Sequence, residues 1–327
     1  MNEITITTNK MAQAGGAIHV WGWEVPVYLF LGGLTAGILI LSAFMILRNK
    51  GEEFDVATNK IVLLAPVFLS LGMLALFLDL EHKLYVWRFY TAFNITSPMS
   101  WGSWILLLVY PLSFLLILAT FRRGFPKIYA AVENFIMGRK RLANHVDKFR
   151  LMFEWSEKHS RLIARITIPV AILLGIYTGI LLSALGARPF WNSAIMGPIF
   201  LVSGVSTAAA LVILLSRKHQ EIRYFTRLDL GLIGVEAVLL LLFIIGMATS
   251  STQHQEALGL ILGGPLTAVF WVLIMGMGLL LPAFLETLEL KGKQIPSFLG
   301  AGFVLLGGLL LRFIIVEAGQ LSSWLPY

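Results

Sequence analysis

Eight runs of roughly 20 apolar residues, separated by polar or Gly/Pro-containing stretches, dominate the pattern along the chain. They cover 25–47, 61–80, 103–121, 163–185, 195–215, 229–249, 263–286 and 297–317. About 20 apolar residues are what a helix needs to cross the hydrocarbon core of a bilayer. Strands of a membrane barrel would be about half that length and would alternate strictly, and these runs do neither. The pattern therefore predicts an all-α integral membrane protein with eight transmembrane helices. The first 18 residues are polar with one lysine and offer no small-residue cleavage pattern. The first run is therefore expected to stay in the membrane as a helix.

Basic residues set the expected orientation. Twenty of the 25 Lys and Arg residues fall in, or at the edge of, the loops joining spans 1–2, 3–4, 5–6 and 7–8. The N-terminus, the other loops and the C-terminus hold only Lys10, Lys83, Arg88 and Arg188, and Arg312 lies within a span. This asymmetry predicts both termini on the periplasmic side. The long connection 122–162 then lies in the cytoplasm. Its basic residues, interspersed with Phe, Leu and Trp155, predict an amphipathic segment at the membrane surface or a tether held by anionic lipid. A weak internal repeat aligns FLGGLTAG (30–37) in span 1 with LVSGVSTA (201–208) in span 5, Gly33 on Gly204 and Thr35 on Ser206. Small residues also recur wherever membrane helices pack closely.

Composition removes several classes of function. Hydrophobic residues make up 57% and charged residues 13%, against about 25% charged in soluble domains. A water-soluble enzyme and a nucleic-acid binder are excluded. With no cysteine, the chain has no thiolate metal site, iron–sulfur cluster or disulfide. Its histidines are His19, His82, His145, His159, His219 and His254. None falls in mid-span, where axial ligands of a transmembrane haem would have to be. No metal site is expected.

Ionisable groups inside spans cost about 2.5–3.5 kcal/mol each on insertion scales and tend to mark sites. Counting about 1.5 Å per residue puts Glu24 and Tyr28 in the outer turns of span 1 and Asp79 and His82 at the outer end of span 2. Tyr177 and Arg312 fall in the outer part of spans 4 and 8, and Glu317 just beyond. Trp101 and Trp104 mark the entry of span 3. Each residue taken alone also suits an interfacial position, and Arg312 also suits a counter-ion role for Asp79 or Glu317. Their convergence on the outer third is what predicts a site there. Glu236 and Glu286 fall towards the cytoplasmic side, and the span centres are otherwise mostly apolar.

The stretches HVWGWEVPVYLFLGGLTAG (19–37), NITSPMSWGSW (94–104), LLGIYTGILLSALGARPFWNS (173–193), IFLVSGVSTAAA (199–210) and LLRFIIVEAGQ (310–320) resemble the NrfD/PsrC family from the first span to the last. In appearance they lie nearer its NrfD branch than its polysulfide-reductase branch. The resemblance implies eight helices in two four-helix bundles. Residues 1–121 would hold spans 1–3, 122–162 the cytoplasmic loop, 163–194 the fourth span completing the first bundle, and 195–327 the second bundle. It also implies a haem-free subunit of a respiratory oxidoreductase complex in the bacterial inner membrane. Such a subunit exchanges electrons between menaquinone or ubiquinone, near the periplasmic face, and a periplasmic ferredoxin-like iron–sulfur subunit. That partner serves a catalytic subunit, a molybdopterin enzyme or a multihaem cytochrome. In the polysulfide-reductase relatives a span-4 Tyr contacts the headgroup and falls on Tyr177. An inner span-1 contact, His there, falls on Tyr28, and an Asn there falls on Val25, a departure beside Glu24.

Quinol oxidation needs donors to the quinone oxygens and acceptors for two protons. Tyr28 and Tyr177 are the expected donors, and Asp79, His82 and Glu24 the expected acceptors. Trp101 and Trp104 would wall the ring, with Arg312 and Glu317 also at the quinone site. Glu236, Glu286, Ser203, Ser206 and Thr207 are the candidates for a proton path to the cytoplasm. A secondary transporter, which would need a polar site at the bilayer midplane, and a purely structural anchor are the competing readings.

Overall fold

The computed structural model describes residues 21–80, 82–91, 93–138, 146–184 and 188–322. His19 and His145 lie outside the described residues. Among the described residues all regular structure is helical. In chain order the described helices of eight or more residues are α1 (Glu24–Leu47), α2 (Val56–Asp79), α3 (Pro98–Gly124), α4 (Pro126–Met137), α5 (Val146–Lys158), α6 (Ser160–Ser183), α7 (Met196–Leu215), α8 (His219–Ala248), α9 (Thr252–Gly259), α10 (Val269–Leu290) and α11 (Ser297–Leu321). Eight of them, all but α4, α5 and α9, are long and apolar enough to cross a membrane. This is a multi-pass membrane protein.

The helix ends depart from the apolar runs where polar residues find partners. Helix α8 starts ten residues before its run, because His219–Leu228 is a polar but amphipathic stretch of helix that buries Glu221, Phe225 and Thr226. Glu221 accepts hydrogen bonds from Ser216 Oγ (2.6 Å) and from the Ala57 backbone N–H (2.8 Å), which ties the start of α8 to the start of α2. Helix α2 begins earlier than its run with a π-helical turn, Val56–Lys60. Asn59 there donates to Gly51 O and Asp55 Oδ1, both at 3.0 Å. Helix α10 begins later than its run, since Gly263 adopts φ +153° and Pro265 follows. Its first twelve residues, Val269–Leu280, are π-helical.

Among the described residues of the 122–162 connection, α4 and α5 lie between the ends of α3 and α6. Tyr129 of α4 stacks on Phe149 of α5 at 5.5 Å, and Arg150 Nε donates to Glu133 Oε1. Ile128, Val132 and Phe135 stay exposed along α4.

Helix α1 packs along α2, α6 and α7; α3 packs on α6; α7 packs on α8 and α11; α10 packs on α11 and α8. The α1–α7 crossing is as close as backbone allows. A Cβ on Gly37 would lie 2.2 Å from Gly204 O, and one on Gly204 2.5 Å from Gly33 O. Without a hydrophobic drive between helices in lipid, such close backbone approach supplies the packing energy. The aligned stretches of the internal repeat thus meet in space. Thr35 Oγ1 donates across to Ala65 O of α2 (3.4 Å), and Ser206 Oγ to Asp229 of α8 (2.5 Å).

One end of the molecule is rich in tryptophan, and the outer ends of α1 and α11 are clamped there. Trp21 stacks on Trp191 at 5.1 Å, and Gln320 exchanges two hydrogen bonds with the Trp21 backbone (2.9 and 3.1 Å). Trp191 Nε1 donates to Ile315 O at 2.8 Å. Gly319 is required beneath that indole, since a Cβ there would fall 1.8 Å from Trp191 Nε1. The opposite end carries the basic loops.

Candidate functional site

At the tryptophan-rich end, a cavity of about 150 Å³ lies among α1, α2, α3, α6 and the loop joining α2 to α3. Val25 and Tyr28 enter it from α1, Met73, Phe77 and Asp79 from α2, Gly102, Ser103 and Leu106 from α3, and Tyr177 from α6. Val86 and Tyr90 close it from the loop. Tyr28 and Tyr177 are 3% and 5% exposed, and neither hydroxyl has a hydrogen-bond partner among the described residues. The Tyr177 ring depends on a glycine: a Cβ on Gly102 would sit 2.1 Å from the Tyr177 hydroxyl. Tyr90 is half-buried. Its phenol is held above its usual range by burial and by the neighbouring Tyr110 phenol. Asp79 stands half-exposed in the wall, within electrostatic reach of Glu24.

The loop that closes the cavity is built by the NITSP stretch. Asn94 Oδ1 accepts from Thr96 N (3.1 Å) and Thr96 Oγ1 (2.7 Å), and Pro98 opens α3 at its first turn, where no N–H is missed. Trp101 Nε1 donates to Ile95 O at 2.7 Å, which pins the loop to α3. Trp104 meets Phe93 edge-on at 5.3 Å.

A second polar cluster lies inside α7, α8, α10 and α11. Arg312 is wholly buried. Its guanidinium donates to Ser203 Oγ (2.5 Å), Gly308 O (2.9 Å) and Phe200 O (3.0 Å), and it stands 4.8 Å over the Phe200 ring. Its charge is set against Glu236, which also neighbours Ser203. One turn along α7, Ser206 donates to Asp229, whose carboxyl faces Glu286. Asp229 Oδ2 and both Glu286 oxygens are buried with no donor among the described residues.

Comparison with known proteins decides what this architecture belongs to. The family "Polysulphide reductase, NrfD" matches residues 10–323. The C subunit of polysulfide reductase from Wolinella succinogenes is 32% identical over 95% of this chain and 99% of its own length. Protein NrfD of Escherichia coli is 30% identical over 93% and 96%. The chain belongs to the NrfD family. Its likeness to the two branches is nearly equal, so the leaning towards NrfD in appearance is not a preference in identity. A more distant member, the Hdr-like menaquinol oxidoreductase integral membrane subunit of Archaeoglobus fulgidus, is 24% identical over 98% of this chain and 77% of its own length.

Within this NrfD-family chain the structure brings Tyr28, Tyr177 and Asp79 to one cavity, with Val25 beside them. The other expected members of that site lie elsewhere. Trp101 and Trp104 are about two-fifths exposed on the opposite face of α3 from Gly102 and Ser103. His82 is exposed, edge-on to Tyr85. Glu317 lines a separate groove between α1 and α11, beside Trp21 and Pro26. Arg312 takes its partners from α7, α8 and its own helix, not from Asp79 or Glu317. The inner set also changes. Ser203 and Ser206 join it, whereas Thr207 spends its hydroxyl on Gly204 O (2.9 Å) within α7. Asp229, the first position of the sixth apolar run, is fully buried. Polar side chains therefore do occupy the middle of this half of the molecule, where apolar span centres were expected.

Proposed function

We propose that this protein is the quinone-reactive membrane subunit of a respiratory oxidoreductase complex. It passes electrons between menaquinol or ubiquinol, bound in the cavity of Tyr28 and Tyr177, and an iron–sulfur partner docked at the tryptophan-rich end. That end faces the periplasm in this reading, as do both termini, and the basic loops face the cytoplasm. The helices divide into two four-helix bundles, α1, α2, α3 and α6 against α7, α8, α10 and α11, a division the packing pairs support. A further subunit carries the terminal catalysis.

The observation that carries the reading is the pair of nearly buried phenols with open hydroxyls. Both residues line the cavity and their hydroxyls spend no hydrogen bond on the described residues, so a ligand with oxygen acceptors suits this cavity. Bound quinol supplies two electrons and two protons. The Tyr28 and Tyr177 hydroxyls orient the ring by donating to its oxygens, Phe77, Met73 and Leu106 exclude water around it, and the Asp79 carboxylate takes protons at the wall. The absence of cysteine makes the partner the electron acceptor. The names of the relatives support this: one is a menaquinol oxidoreductase subunit and another is the C subunit of a reductase.

The Arg312–Ser203–Glu236 and Ser206–Asp229–Glu286 groups continue as a proton path across the second bundle. If Glu236→Gln and Asp229→Asn leave proton uptake and turnover unchanged in proteoliposomes, the path is wrong. For the site itself, Tyr28→Phe and Tyr177→Phe each remove one hydrogen bond worth about 0.5–1.5 kcal/mol and should raise the quinol KM of the intact complex about 3–10-fold. Unchanged quinol kinetics and unchanged quinone-site inhibitor binding in both variants would rule it out.

A further inference from the structure

The cavity holds room for a ring but not for an isoprenoid chain, and a lipid-dissolved quinone must lie with its tail in the membrane. Helix α2 packs along α1 and α3 along α6; α2 and α3 meet closely at the first turns of α2, Val56–Leu63, and pack only loosely on each other from Leu64 on. The cavity reaches this seam. Met73 and Phe77 line it from α2, Met99, Ser103 and Leu106 from α3. Those positions follow helical spacing, so each set forms a single stripe. Extended about one turn towards the membrane middle, the stripes arrive at Ser70 on α2 and Tyr110 on α3. These two residues touch: Ser70 Oγ and Tyr110 Oη are 3.1 Å apart, the one side-chain hydrogen bond between α2 and α3. Both helices are described throughout. The pair lies at the lipid-facing side, Ser70 being exposed and Tyr110 half-buried. Tyr110 is also the electrostatic neighbour of Tyr90 in the cavity's lid.

We infer that the α2–α3 seam is the subsite for the isoprenoid tail of the quinone, and that the Ser70–Tyr110 hydrogen bond is the latch across it. This rests on the quinone reading of the Tyr28–Tyr177 cavity. The headgroup sits among the phenols, and the tail leaves sideways between Met73 and Leu106 into lipid. Methionines suit such a route, because an unbranched thioether side chain adapts to a moving hydrocarbon. Along this outer part a single hydrogen bond between hydroxyls joins the helices, and it yields readily when a tail passes.

The test uses the intact complex in proteoliposomes. A menaquinone analogue with an aryl azide at the end of a short isoprenoid tail is bound, illuminated and mapped by peptide mass spectrometry. Label on the α2 and α3 peptides that carry Ser70–Phe77 and Leu106–Tyr110, removed by excess menaquinone, is the expected result. Competed label confined to other helices overturns the tail subsite and leaves the headgroup reading standing. Absence of any competed label overturns both. In parallel, Ser70→Trp fills the seam. Overpacking of this kind should raise the KM for long-chain quinol about tenfold and leave a water-soluble short-chain quinol within about twofold. Equal response of the two quinols, whether both unchanged or both impaired, counts against the seam, and the labelling of the unmodified complex is independent of how that variant folds.

Discussion

Gly102 has no chemistry of its own, yet the position of the Tyr177 hydroxyl depends on it. A methyl group there would lie 2.1 Å from that oxygen. Gly102→Ala should therefore push the phenol out of the cavity and raise the quinol KM at least as much as Tyr177→Phe does, about 3–10-fold, with little change in the melting temperature of the complex. A steady-state titration beside a thermal unfolding scan checks both halves of that statement. Arg312 makes the opposite case, a charged residue whose removal should be felt as stability. Arg312→Met takes the donor from Ser203, Gly308 and Phe200 and the opposing positive charge from buried Glu236, and buried polar groups left unmet cost about 1–3 kcal/mol each. The double variant with Glu236→Gln should recover part of the loss, which unfolding in detergent would show. Sequence reading reached Tyr28 and Tyr177 because depth along a helix follows from simple counting and because the resemblance named their type. It missed Tyr90 and Gly102, one in an outer loop with no periodicity to place it, the other an apolar glycine among many. For Arg312 the burial inside a span was legible and the partners were not: it meets Ser203, Gly308 and Phe200 instead of Asp79 or Glu317. Counting gives height along the axis, but not which of seven neighbours a side chain faces.

Among elements, the α1–α7 crossing depends most on backbone contact. Gly37 and Gly204 leave no room for a side chain, so Gly204→Val should separate the helices and lower stability by at least about 1–3 kcal/mol, as overpacking does. Loss of assembled complex on native gels and a lowered unfolding midpoint are the expected readouts. The same contact explains how the repeat could be seen in sequence: FLGGLTAG and LVSGVSTA are small-residue stretches that touch one another. Helix ends were legible only where they coincide with hydropathy. The first turns of α8 are polar because they continue the helix past the apolar run, held by Glu221, Ser216 and Ala57. The late start of α10 follows from Gly263 and Pro265, punctuation that a sliding apolar count passes over. The short loops between spans are held by contacts that pattern does not carry, such as Trp101 on Ile95, and these removed both span-3 tryptophans from the cavity.

At the scale of the whole molecule, the distribution of Lys and Arg predicts which end faces which compartment. Alkaline phosphatase fused after Leu321 should be active, and the same reporter fused after Met137 in α4 should not. The reverse pattern would turn the cavity towards the cytoplasm and remove the periplasmic partner. The clamp between Trp21 and Gln320 spans 299 positions of sequence. The first of the eight spans to leave the ribosome is thus the one whose Tyr28 forms the cavity, and its outer end stays unfastened until the eighth has been inserted. A chain cut before α11 lacks Gln320 and leaves the Trp21 backbone, at the rim of the cavity, without the side chain that holds it.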